Sequence, residues 1–161
     1  MNTYKKNRKP ALSKAEEPEL AYAISTQLHA VEKLLGMTPA QLDEPLSRVS
    51  AFRKGFKKKS FETLKEASGL DYQTLATALS VSTKTLQRTD VFDVAQSEKM
   101  YEVAGLYAVG MSYFGKEGFR RWMDRPLFAL GNRKPIELLD VSEGIQLLRT
   151  EIMRLQHGIA V

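Results

Sequence analysis

The sequence predicts an all-α fold, and three observations carry the prediction. Apolar residues recur at three- and four-residue spacing along most of the chain. No stretch alternates apolar and polar side chains as a half-buried strand would. Capping residues and glycines punctuate the periodic segments at helix-length intervals. With 161 residues, 43% of them apolar, the chain can bury one core, or two small units that share it.

Residues 1–18 contain few apolar side chains and carry Pro10 and Pro18, so they read as a disordered basic tail. A first helix is expected from about Glu19 to Leu35, with Leu20, Ile24, Leu28, Val31 and Leu35 on one face and Gly36 as its stop. Thr38-Pro39 opens a second, short helix, because proline suits the first helical position. Leu42, Leu46 and Val49 extend an apolar stripe, Pro45 breaks or restarts it, and Gly55 ends it. Lys57, Lys58 and Lys59 then form an expected exposed loop.

Ser60 is the expected N-cap of a helix over Phe61–Ala67 closed by Gly69. Asp71 caps a helix holding Leu75, Ala76 and Leu79, and Ser82 caps a short one holding Leu86. A long helix follows from about Gln96 to Phe114. Met100, Val103, Tyr107, Met111 and Phe114 face inward, and Ala104, Leu106 and Val109 widen its apolar surface. That width suits burial on more than one side, or a dimer seam. Gly115 ends this helix, Lys116–Met123 forms the next, and Asp124-Arg125-Pro126 terminates that one. Gly131-Asn132 supplies a tight turn, and Pro135 starts a helical turn carrying Ile136, Leu138 and Leu139. Ser142 caps the last helix, whose Ile145, Leu148, Ile152 and Leu155 form a packing seam and which Gly158 terminates. The organisation is therefore a tail over 1–18, a helical region over 19–95 and a C-terminal unit over 96–161.

Charge and composition narrow the function. The net charge is +5, but residues 1–60 hold twelve Lys and Arg against six Asp and Glu, while the remainder is nearly balanced. The excess lies in two knots, Lys5 to Lys9 and Arg53 to Lys59, which attract phosphates or simply solvate a tail and a loop. The absence of cysteine removes disulfides and Cys-ligated zinc, and the two histidines, His29 and His157, fall on different helices. No phosphate-cradling glycine loop or nucleophile elbow is present, so neither catalysis nor a cofactor is expected. No apolar run reaches the length of a membrane span and the N-terminus lacks a secretory pattern, which points to the cytoplasm.

Leu75 to Arg88 has the pattern of a helix-turn-helix. Ala76 is small where two helices cross, Val81 fills the turn and Leu86 seals the pair. Thr83, Lys84, Thr85, Gln87 and Arg88 then face outward as candidate contacts to bases or phosphates. This segment resembles an Xre-type helix-turn-helix, with Ser80 where such turns commonly carry glycine. Asp90 and Asp93 stand where further basic residues are common. A helical pair used only for packing or dimerisation is the alternative.

The C-terminal unit places Trp122, the only tryptophan, beside Arg120 and Arg121. Burial of Trp122 with Phe119 competes with an interface role. Then come Ala129 to Pro135, Glu137 to Asp140 and the terminal residues His157 to Val161. In this order they resemble the toxin-binding domain of Xre/MbcA/ParS-type antitoxins, with Asn132 and Lys134 replacing a Gly and a Thr of the usual signature. The resemblance implies neutralisation of a RES-domain toxin that consumes NAD or transfers ADP-ribose. The C-terminal segment would enter the toxin's active-site cleft. It implies toxin contacts from Arg120, Asn132, Arg133, Lys134, Arg154, His157, Gly158, Ile159, Ala160 and Val161. It also implies a homodimer, a toxin–antitoxin hetero-oligomer and repression of its own operon through operator DNA. The competing expectation is a stand-alone helix-turn-helix regulator whose C-terminal unit only dimerises.

Overall fold

The computed structural model of the protein describes residues 29–158, so the basic tail, the stretch 19–28 expected to begin the first helix, and Ile159, Ala160 and Val161 lie outside the described residues. Among the described residues the secondary structure is helical, apart from two isolated antiparallel bridges, Lys57 with Val91 and Leu127 with Arg133. No helix there is long and apolar enough to cross a membrane.

The expected punctuation governs most of the helix ends. Helix α1, described over residues 29–35, stops at Gly36, whose φ is +58°. Helix α2 (Pro39–Leu42) begins at a reciprocal cap between Thr38 and Gln41, and α3 (Pro45–Lys54) restarts at its proline. Helices α4 (Lys58–Ser68), α5 (Tyr72–Ala78) and α6 (Thr83–Arg88) follow. Next come α7 (Val94–Phe114) and α8 (Lys116–Met123), then the 3-10 turns Phe128–Leu130 and Pro135–Leu138, and finally α9 (Ser142–Gln156).

Helix α7 is the axis of the molecule. Its 21 residues span roughly 30 Å, and Met100, Val103, Ala104, Leu106, Tyr107 and Val109 are buried around its circumference. Helices α3 and α4 pack on it from the N-terminal region, and α8 and α9 from the C-terminal one. Helix α9 runs parallel to α7: the Lys99 ammonium donates to Ser142 Oγ at 3.0 Å, and Tyr113 OH donates to the Leu155 carbonyl at 3.1 Å. Helix α8 turns back at Gly115 and lays Phe119 on Gly110, where any Cβ would collide with the ring. Phe119 meets Tyr107 edge-on at 5.0 Å between centroids. Tyr107 is itself buried, which pushes its phenol well above the ordinary tyrosine range.

Five expectations need correction. The apolar circumference of α7 is covered within the chain by α3, α4, α8 and α9, so it is not available as a dimer seam. A helix apolar on every side is a core helix. Leu46 and Val49 do not continue the stripe of Leu42. They are 81% and 40% exposed, because α3 turns Ala51 and Phe52 inward instead, with Phe52 set edge-on to Tyr101. Lys57 to Lys59 form no loop, and Ser60 is not a cap. The N-cap of α4 is Lys57, whose backbone pairs with Val91, while the Lys58 N–H donates to the Asp90 carbonyl at 2.8 Å. Ser142 is the first residue of α9 rather than its cap, since its hydroxyl donates to Glu102 Oε2 at 2.8 Å.

Candidate functional site

The helix-turn-helix is built by local chemistry. Asp71 Oδ1 accepts the Thr74 N–H at 2.7 Å and starts α5. That bond, with a second from the Thr74 side chain, holds the Asp71 carboxyl below its ordinary range. Ser82 Oγ accepts the Thr85 N–H at 3.0 Å and starts α6. Between the helices, the Val81 N–H donates to the Ala76 carbonyl at 3.0 Å, and Ser80 takes a φ of +56°. This left-handed conformation is the one for which glycine is the usual residue. Leu75, Ala76, Ala78, Leu79 and Leu86 are buried beneath the turn.

Of the five outward residues expected on α6, Lys84, Thr85, Gln87 and Arg88 are exposed and Thr83 is half-buried. The Thr85 hydroxyl lies 2.8 Å from Ser82 Oγ in the cap, which leaves Lys84, Gln87 and Arg88 as the long side chains that reach outward. The second basic knot is not a separate feature. Through the Lys57–Val91 bridge it lies against the segment that follows α6, with Arg53, Lys54, Lys57 and Lys59 exposed. The first knot, Lys5 to Lys9, lies outside the described residues. Asp93, expected to repel phosphates, caps α7 by accepting the Gln96 N–H at 2.8 Å.

Two grooves join this unit to the C-terminal one. The larger, about 580 Å³, runs between the α4–α5 junction and α8, and both Asp71 and Arg120 line it. The smaller, about 190 Å³, sets Glu137 and Asp140 beside Gln73, Thr74 and Thr77 on the open face of α5.

In the C-terminal unit Trp122 is half-buried and stacks on Phe114 at 5.5 Å and Phe119 at 5.7 Å, so packing claims most of it. Arg120 and Arg121 remain exposed. The following corner is tightly braced. The Leu127 N–H donates to the Arg133 carbonyl at 3.1 Å, and the Asn132 N–H donates to the Leu127 carbonyl at 2.9 Å. Gly131 and Asn132 take the expected positive φ values, +65° and +62°. Lys134 is a strut of this corner, since its ammonium donates to Asp124 Oδ1 at 2.9 Å. That bond raises the Lys134 pKa.

Those of the expected toxin-contact residues that are described do not converge on one spot. Asn132, Arg133 and Lys134 belong to the corner that precedes α9, whereas Arg154, His157 and Gly158 lie at the far end of its 15 residues, roughly 22 Å away. Arg154 is paired with Glu151 at 3.4 Å. His157 and Gly158 are exposed, and Gly158 turns the chain off the helix at φ +69°. The residue that sequence reasoning missed is Phe128, exposed to 91% on the corner. Its place between two inward leucines was the available signal, but the direction of a turn residue depends on the turn type, which spacing does not give.

Comparison with known families gives two matches. Residues 47–105 match the Antitoxin Xre-like helix-turn-helix domain, and residues 110–158 match the Antitoxin Xre/MbcA/ParS C-terminal toxin-binding domain. Both matches end or begin inside α7, so one helix serves both units. No match was found among curated proteins.

Proposed function

We propose that this chain, whose two family matches are those of an Xre-type antitoxin, belongs to a type II toxin–antitoxin pair and silences a RES-domain, NAD-consuming toxin by filling the toxin's active-site cleft with its C-terminal segment. The observation that carries this reading is the way α9 ends. Leu148 and Ile152 are fully buried, the Leu155 carbonyl is held by Tyr113, and beyond it His157 and Gly158 are exposed. Among the described residues nothing after Leu155 is buried, and Ile159-Ala160-Val161, which follow, are apolar in sequence. An apolar segment launched from a fixed helix end suits insertion into a cleft. Burying it there would exclude NAD by occupancy alone.

Autorepression is the second part of the proposal. Lys84, Gln87 and Arg88 on α6, with the basic residues Arg53 to Lys59 beside them, supply the cations and amide an operator contact needs. Self-association, if it accompanies repression, would use a surface other than α7. The exposed Leu46 and Val49 of α3 are apolar and unoccupied among the described residues.

The test is NAD consumption by the purified toxin of the same operon, with the full chain and with a chain lacking Gly158 to Val161. The shortened chain should fold and still bind the toxin, but inhibit it poorly. Equal inhibition by both chains would overturn occlusion by the C-terminal segment.

A further inference from the structure

The corner that precedes α9 holds a large aromatic ring in water on a rigid frame. In a 3-10 turn three residues complete one revolution, so positions i and i+3 share a face. Leu127 and Leu130 bracket the turn Phe128–Leu130 and both turn inward, the former half-buried and the latter 8% exposed. Phe128 is thereby directed outward, and 91% of it is exposed, the largest exposure of any big apolar side chain among the described residues. The frame is closed by the Leu127–Arg133 bridge, the Asn132-to-Leu127 bond and the Lys134–Asp124 ion pair. Little conformational freedom remains to be lost when something binds there. Arg125, Asn132 and Arg133, within five residues of the ring in sequence, are exposed on the same corner and add two cations and an amide to it. Aromatic and Arg side chains are the residue types that dominate protein interface energetics.

We propose that Phe128 is the docking anchor for the toxin, inserting into an apolar pocket of that protein whose rim carries carboxylates for Arg125 and Arg133. This rests on the antitoxin reading given above, and it separates two tasks: the corner binds, while the segment after Gly158 inhibits. The occupant is a different protein rather than a second copy of this chain. A second copy would bring the same two arginines to the interface, adding like charge rather than the carboxylates that Arg125 and Arg133 call for. The patch also lies within the stretch that matches the toxin-binding domain.

The test uses the full chain and the toxin of its operon, with binding measured by calorimetry and fold by thermal unfolding. Phe128→Ser should leave the unfolding midpoint unchanged, because the ring contributes little burial, while weakening toxin binding roughly 30-fold or more. Phe128→Leu should retain most of the affinity. Arg125→Glu with Arg133→Glu should slow association and remove its salt dependence. If wild type binds toxin and Phe128→Ser binds it equally well, the anchor is wrong and the antitoxin reading stands. If wild type does not bind the toxin at all, the antitoxin reading fails first. A Phe128→Ser chain that loses self-association but keeps toxin affinity would assign the patch to a second copy and overturn the proposal.

Discussion

The ammonium of Lys58, at the start of α4, donates to the main-chain carbonyl of Leu86 near the end of α6 at 2.7 Å. The same ammonium lies 3.7 Å from Glu62 and over the rings of Phe61 and Tyr72. A residue expected in a solvated basic loop thus ties the second helix of the helix-turn-helix to the body of the protein. The carbonyls of a last helical turn lack intrahelical partners, and α6 has only six residues to hold itself together.

Replacing Lys58 with Met keeps most of the aliphatic stem and removes the donor. The expected loss is about 1 kcal/mol of stability, modest because the group is partly solvated. Hydrogen exchange should also accelerate selectively over residues 86–89. Unchanged exchange there would mean that α6 is held by Leu86 burial alone.

For operator binding, Lys84→Ala and Arg88→Ala should each weaken affinity and lower the salt slope by about one unit if each meets a phosphate. Glu137 and Asp140 border the open face of α5, where a helix-turn-helix commonly approaches the DNA backbone. Glu137→Gln with Asp140→Asn should therefore strengthen binding to the chain's own promoter, most visibly at low salt. Fluorescence anisotropy across a salt series measures both effects, and no gain from the double change would place α5 away from the phosphates.

The Asp71 cap makes a pH-dependent contribution. Its folded pKa is depressed below the ordinary 3.8, so its contribution is present above that value and is lost as pH falls through the depressed one. Asp71→Ala should cost about 1 kcal/mol at neutral pH. Asp71→Asn, which still caps, should be nearly neutral there and should flatten the acid side of the stability profile. Denaturant unfolding from pH 7 to pH 2 separates the two variants.

Ser80 sits at φ +56°. A left-handed conformation costs a non-glycine residue about 1–2 kcal/mol, while glycine's greater freedom when unfolded costs about 0.5–1 kcal/mol. Relief of strain is the larger effect. Ser80→Gly should stabilise the protein by roughly 0.5 kcal/mol, read as a higher unfolding midpoint with the helix content unchanged.

The sequence by itself determined the helices, their order and most of their ends. Those features depend on groups a few residues apart: Asp71 with Thr74, Ser82 with Thr85, and Gly69 and Gly115 in left-handed turns. It also determined the helix-turn-helix and the Gly131-Asn132 turn, for the same reason. Tertiary structure decided which apolar faces were left over. Spacing shows that α7 is apolar all round, but only the packing of α3, α4, α8 and α9 reveals that this chain consumes that surface itself. Leu46 and Val49 obey the helical period and are exposed because Phe52 reaches Tyr101 in their place. Lys58 and Ser142 left their predicted roles because partners 28 and 40 residues away, Leu86 and Glu102, offered better hydrogen bonds than solvent or their own helix. Phe128 points outward because of the turn type and its two inward leucines. Short-range chemistry is written in the order of residues, whereas the competition among distant partners for one buried face is settled only when the chain has folded.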